Sequence, residues 1–136
     1  MNKISILGSS GSIGQNTLSV INQDRSNLEV ISLVSDNNYK KLAEDAIKFG
    51  ARYVAINNDN HYLSLKHELS GYNIECGAGE EGVFEAVSRD SDILVSAIVG
   101  LAGLKPTLQA IKSGLRIALA NKESLVCAGE IITRLS

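Results

Sequence analysis

The chain is predicted to be an α/β protein: a mostly parallel sheet covered by helices on both faces. Three observations carry this expectation. Short apolar runs that read as strands alternate from end to end with segments whose apolar residues recur at helical spacing. A glycine-rich turn, Gly8-Ser9-Ser10-Gly11-Ser12-Ile13-Gly14, joins the first strand to the first helix. One run, Ile93-Leu94-Val95-Ser96-Ala97-Ile98-Val99, is almost wholly apolar, as in a strand buried on both faces. Alternation of this kind calls for parallel strands joined by crossovers, and right-handed crossovers favour a doubly wound, Rossmann-like order.

Taken in order, Ile4-Ser5-Ile6-Leu7 reads as the first strand. Ile13, Thr17, Val20 and Ile21 mark one face of the first helix, and the polar stretch from Asn22 to Asn27 is a turn. Leu28 to Val34 is the second strand. Ser35-Asp36-Asn37-Asn38 is rich in residues that cap helices, and Leu42, Ala43, Ala46 and Ile47 mark a second helix that closes near Gly50. Tyr53 to Ile56 is a third strand. A helix from His61 to Leu69 follows, with Leu65 and Leu69 on one side. Ile74 to Cys76 is a short strand, and Glu80 to Ser88 is a helix through Val83, Phe84 and Val87. After the apolar run at 93–99 come a turn at Gly100 to Gly103 and a helix with Pro106 in its first turn, where the missing N–H costs nothing. Leu104, Leu108 and Ile111 form the core face of that helix and Gly114 ends it. Arg116 to Leu119 is the next strand, running into Asn121-Lys122-Glu123. Gly129 to Ser136 begins an apolar helix that no capping glycine closes, the pattern of a chain cut within a longer one.

The bulk numbers set limits. With 136 residues the sequence makes one domain, spanning 1–136, and a chain of that length buries roughly 68% of its unfolded surface. A net charge of −2, with Lys and Arg scattered, offers no basic stripe for nucleic acid, and four Tyr with two Phe make no platform for bases. No apolar run is long enough to span a membrane, and the N-terminal run is too short for a signal-peptide core. Cys76 and Cys127 form no C-x-x-C pair, which suits reduced thiols in a cytoplasmic setting and gives no metal site. His61 and His67 have no second metal ligand near them in sequence and read as surface residues.

In open parallel sheets ligands bind beyond the carboxyl ends of the strands. Three polar segments follow strands here: the glycine turn, Asp36-Asn37-Asn38, and Asn121-Lys122-Glu123. At the first, a backbone bare of side chains can approach a phosphate closely, and the helix N-terminus supplies unpaired N–H groups and partial positive charge. The alternative is a plain structural turn. At the second, Asp36 stands about 22 residues after Gly14, near the spacing at which dinucleotide folds read the adenosine ribose. Its carboxylate would oppose a 2′-phosphate: two unit charges 6 Å apart repel by roughly 3 kcal/mol at an effective dielectric near 20. Asn37 and Asn38 serve equally as helix caps. At the third, Lys122 offers a cation, and Asn121 and Glu123 offer partners for a ribose or an amide, against the plainer reading of a solvated loop with a surface ion pair.

Three stretches in this order, namely Gly8 to Gly14, Ala97-Ile98-Val99-Gly100-Leu101-Ala102-Gly103-Leu104-Lys105-Pro106-Thr107-Leu108 and Leu119-Ala120-Asn121-Lys122-Glu123-Ser124-Leu125-Val126, closely resemble the 1-deoxy-D-xylulose 5-phosphate reductoisomerase family. The resemblance covers about the N-terminal third of that enzyme. It implies an NADPH-binding domain of an enzyme that rearranges 1-deoxy-D-xylulose 5-phosphate and reduces the product to 2-C-methyl-D-erythritol 4-phosphate, in the non-mevalonate route to isoprenoids. It further implies a homodimer and a divalent Mg or Mn ion. Ser10, Gly11, Ser12 and Ile13 would hold the NADPH pyrophosphate, on the turn that Gly8 opens. Asn38 would sit by the adenosine ribose, beside Asn37. Asn121 and Glu123 would contact the cofactor and Lys122 the sugar phosphate, with the turn after Ala97 beside the nicotinamide.

Two departures from the family pattern stand out. Asp36 and Asn37 occupy the places where the family usually has a glycine and a basic residue suited to a 2′-phosphate. The family's metal-binding Asp-Ser-Glu motif has no counterpart here, so the chain alone is expected to bind nucleotide without turnover, and its catalytic and metal-binding residues are expected elsewhere. Two other readings compete: a semialdehyde-dehydrogenase type of oxidoreductase, which needs a catalytic cysteine, and a stand-alone nucleotide-sensing domain that does no chemistry.

Overall fold

A computed structural model describes residues 2–89 and 91–96 and the backbone of residues 116–119. The elements in chain order are β1 (Asn2–Leu7), α1 (Ser12–Gln23), β2 (Leu28–Ser35), α2 (Tyr39–Phe49), β3 (Tyr53–Ile56), α3 (Tyr62–Glu68), β4 (Glu75–Ala78), α4 (Gly79–Ser88), β5 (Ile93–Ser96) and β6 (Arg116–Leu119). A single 3-10 turn, Asp59–His61, leads into α3. The six strands form one sheet in the order β4-β3-β2-β1-β5-β6, and every pairing is parallel. The predicted α/β, doubly wound architecture is what forms. The predicted turn at 100–103, the helix around 104–111, Asn121-Lys122-Glu123 and the closing apolar segment lie outside the described residues.

The order follows from crossover handedness. From β1 the chain steps outward through β2 and β3 to β4, so right-handed crossovers place α1, α2 and α3 on one face. It then returns to the other side of β1, which places α4 on the opposite face. The core divides accordingly. Leu18 and Ile21, Leu42, Ala46 and Phe49, and Leu65 and Leu69 pack with Ile4, Ile6, Val54 and Ile56. Val83, Ala86 and Val87 pack with Leu7, Val34, Ala55 and Leu94. The strand order reverses between β1 and β5, and the crevice beyond their carboxyl ends is where sheets of this kind bind ligands.

Several sequence expectations are corrected in detail. Val20, assigned to the buried face of α1, is 60% exposed, while Gly14, Leu18 and Ile21 are buried. The cause is Gly14: a Cβ there would lie 2.6 Å from the Ser9 Cα, so the helix turns its bare side to the glycine turn and carries Val20 outward. α1 also runs through Asn22 to Gln23. β4 begins at Glu75 rather than Ile74 and extends to Ala78. Within β2 the register against β1 jumps from Ile4↔Val30 to Ser5↔Ser32, which leaves Ile31 as an extra, bulged residue. That bulge lets Val30 and Leu33 share one face although they are three apart. His61 is half-buried, its ring stacked on Tyr39 at 5.3 Å between centroids, whereas His67 is exposed.

Candidate dinucleotide site

The glycine turn is fixed from below by the ends of β1 and β2. Gly8 adopts φ 85, a conformation open to glycine and strained for other residues. This turns the chain so that the Gly8 and Ser9 N–H groups both donate to the Val34 carbonyl, at 2.8 and 2.9 Å. The Ser10 hydroxyl donates to Ser35 Oγ at 2.7 Å, tying the turn directly to the end of β2. Gly11 is the N-cap of α1; its N–H donates to the Gly8 carbonyl at 3.3 Å, and no side chain caps the helix. The N–H groups of Ser12, Ile13 and Gly14 open α1, where a helix supplies no acceptors of its own. They and the helix dipole favour an anion there.

The glycines play different parts. Gly14 is needed by the fold, because its Cβ would collide with the Gly8 carbonyl and the Ser9 backbone. Gly11 is not: the nearest atom to a Cβ built there is the Gly8 carbonyl oxygen at 3.7 Å, an ordinary contact. A bare backbone at Gly11 that the protein itself does not require fits close approach by a ligand phosphate.

The second predicted segment lies beside the first. Asp36 follows β2, and its carboxylate accepts from Asn57 Nδ2 at 2.9 Å and from Asn37 Nδ2 at 3.1 Å. Asn37 Oδ1 accepts from Asn58 Nδ2 at 2.8 Å, so each end of that side chain has a protein partner. Asn38 caps α2, its Oδ1 accepting from the Lys41 N–H at 3.2 Å. The backbone reinforces the cluster, with the Asn57 N–H donating to Ser35 and the Asn58 N–H to Asp36. Asp36, Asn37, Asn57 and Asn58 thus knit the ends of β2 and β3 into one polar rim. Sequence reading missed Asn57 and Asn58; their position directly after an apolar strand was the signal.

Sequence reading also missed Gln15 and Asp45. Asp45 sits on α2 and is 3% exposed, and it accepts from Gln15 Nε2 at 2.7 Å. The same Nε2 donates to the Ser9 carbonyl at 2.9 Å. Among the described residues the buried Ser9 hydroxyl has no partner. The third predicted segment, Asn121, Lys122 and Glu123, lies outside the described residues, as does the turn after Ala97.

Cys76 lies elsewhere, on β4 at the sheet edge. Three strand spacings separate β4 from β1, about 14 Å. Burial pushes its thiol pKa up, against the lowering effects of a hydrogen bond with Tyr62 and of the Lys66 charge. A reactive thiolate beside the glycine turn, as the semialdehyde-dehydrogenase reading needs, is not what Cys76 provides. Among the described residues no helix is long and apolar enough to cross a membrane. Nor do the described residues gather three His, Cys, Asp or Glu side chains where they would hold a metal ion.

Comparison with known proteins converges on one family. The profile of 1-deoxy-D-xylulose 5-phosphate reductoisomerase matches residues 4–129. The reductoisomerase of Rhizobium johnstonii is 50% identical over 131 residues, which are 95% of this chain and 33% of that protein. The solved structure of the Zymomonas mobilis reductoisomerase in complex with NADPH superposes with a TM-score of 0.86 at 40% identity, over 98% of this chain and 35% of that one. A reductoisomerase structure with NADPH, fosmidomycin and magnesium gives 0.84 at 36% identity, over 99% of this chain and 34% of that one. The chain therefore spans about a third of the length of these relatives. Its glycine turn, its strand order and these matches agree, and the chain belongs to the 1-deoxy-D-xylulose 5-phosphate reductoisomerase family.

Proposed function

We propose that residues 1–136 form the NADPH-binding domain of a 1-deoxy-D-xylulose 5-phosphate reductoisomerase. The observation that carries this is the pair Gly11 and Gly14. One glycine is closed in by the protein and the other has room for a side chain at an uncapped helix start, beside the point where the strand order reverses. Gly8, Ser10, Gly11, Ser12 and Ile13 bind the pyrophosphate, chiefly through backbone N–H groups. Asn37 and Asn38 border the adenosine ribose. Asn121 and Glu123 contact the cofactor, and Lys122 takes the sugar phosphate. The relative from Zymomonas mobilis, with NADPH bound, supports this choice of cofactor.

NADPH, when bound, supplies the hydride that reduces the rearranged sugar phosphate; this chain's residues hold and orient it. The complete reaction converts 1-deoxy-D-xylulose 5-phosphate to 2-C-methyl-D-erythritol 4-phosphate, in a cytoplasmic homodimer that uses Mg or Mn. This chain spans about a third of the length of its relatives, and the part of that reaction proposed for it is nucleotide binding.

Calorimetric titration with NADPH and, separately, NADH tests the reading. Tighter binding of NADPH is expected, with Asp36 held off the 2′-phosphate by its bonds to Asn57 and Asn37. Equal or tighter binding of NADH would overturn the NADPH assignment. Binding of neither would overturn the nucleotide-binding role.

A further inference from the structure

The glycine turn is braced by two side chains, Gln15 on α1 and Asp45 on the neighbouring α2. Gln15 Nε2 donates one hydrogen to the Ser9 carbonyl and the other to Asp45 Oδ2. Both partners accept only, so the amide must face them with its NH2. Asp45 is buried, and a buried carboxylate is costly unless paired and hydrogen-bonded. Lys41 Nζ, 3.4 Å from Asp45 Oδ1, supplies the charge partner, and Glu44 shares that lysine at 3.7 Å. The acceptor that orients Gln15 is thus itself fixed, and Gln15 in turn fixes the Ser9 carbonyl.

The consequence lies in the peptide plane. None of the described peptide bonds is cis. A trans peptide is planar, and its C=O and the following N–H point in opposite directions. Drawing the Ser9 carbonyl toward the α1–α2 side therefore turns the Ser10 N–H away from the helices. Among the described residues that N–H has no backbone acceptor, while its neighbours at Gly8, Ser9 and Gly11 each have one.

We propose that Gln15 is a positioning residue. Anchored by Asp45, it sets the Ser9–Ser10 peptide plane so that the Ser10 N–H is presented to a dinucleotide phosphate. This rests on the nucleotide-binding role proposed for the glycine turn.

A side-chain exchange separates positioning from simple support. Gln15→Ala removes both hydrogen bonds. The paired change Gln15→Glu with Asp45→Asn keeps one amide and one carboxylate between α1 and α2, so the contact between the helices re-forms with donor and acceptor swapped. The carboxylate now at position 15 cannot donate to the Ser9 carbonyl and repels it. Melting temperature and calorimetric NADPH affinity are measured for the chain and for both variants. The expected result is NADPH binding weakened about tenfold in both variants, about 1.4 kcal/mol, with a higher melting temperature in the exchange than in Gln15→Ala. An exchange variant that recovers wild-type affinity would show that Gln15 only supports the helices and would overturn the proposal. Unchanged affinity in Gln15→Ala would do the same. Failure of the unaltered chain to bind NADPH would instead overturn the nucleotide reading itself, and this inference with it.

Discussion

Gly11 and Gly14 look alike in the sequence and differ in what they meet. A methyl at Gly14 would press on the backbone of Ser9 and the carbonyl of Gly8, atoms that cannot move aside cheaply. Alanine gains about 1 kcal/mol of helix propensity over glycine, but the overlap outweighs it, and Gly14→Ala is expected to lose about 1–3 kcal/mol of stability in urea unfolding. A methyl at Gly11 meets nothing nearer than 3.7 Å, so Gly11→Ala loses less than about 1 kcal/mol, the ordinary cost of alanine at an N-cap. Its NADPH affinity nevertheless falls about tenfold, because the methyl stands where the phosphate must approach. Unimpaired binding by Gly11→Ala would mean that no phosphate approaches that glycine. The turn was legible in sequence because a strand, three glycines and a helix stand together. Asp45 was not. On its helix it reads as the outer partner of an i, i+4 pair with Lys41, and only the packing of α2 against α1 buries it.

Among the described elements, β3, β4 and α4 are closely fitted. Gly77 and Gly82 let α4 come close, and Tyr53 Oη donates to the Gly82 carbonyl at 2.8 Å. Arg89 lies over the Tyr53 ring, 4.7 Å from its centroid, and pairs with Glu75 and Glu85. Burial first, then the Glu85 charge, push the Tyr53 pKa up to about 12 from 10.0, while Arg89 opposes them. The folded state therefore keeps a proton that the unfolded state loses between those values. The corresponding stability is complete below about pH 10 and is lost as pH rises toward 12, in total about 2–3 kcal/mol. Urea unfolding from pH 9 to 12 should show this decline, and Tyr53→Phe should remove most of this slope at the cost of about 1 kcal/mol for the lost hydrogen bond. An equal slope in both proteins would contradict the assignment. The strands and helices themselves were legible as periodicity and caps: Asn38 and Gly50 bound α2 as expected, Gly50 with φ 67. The Ile31 bulge was not, because an extra residue in an apolar strand leaves the composition unchanged while shifting every later side chain across the sheet.

For the molecule as a whole, strand order explains why distant segments meet. β1 stands between β2 and β5, so the glycine turn and the Asp36 rim share one edge although Asp36 comes 22 positions after Gly14. The alternation of apolar runs was sufficient to foresee a parallel, doubly wound sheet. It was insufficient to foresee the rim of Asn57 and Asn58, which depends on β3 lying beside β2. The central claim is that the start of α1 binds the dinucleotide's phosphates through its backbone. Amide resonances of the 15N-labelled chain, followed as NADPH is added, test it most directly. The largest shifts are expected at Ser10, Gly11, Ser12 and Ile13, with smaller ones at Asn37 and Asn38 and little change along β4. Shifts centred on β4, or saturable binding that leaves the Ser10 to Ile13 amides unmoved, would contradict it.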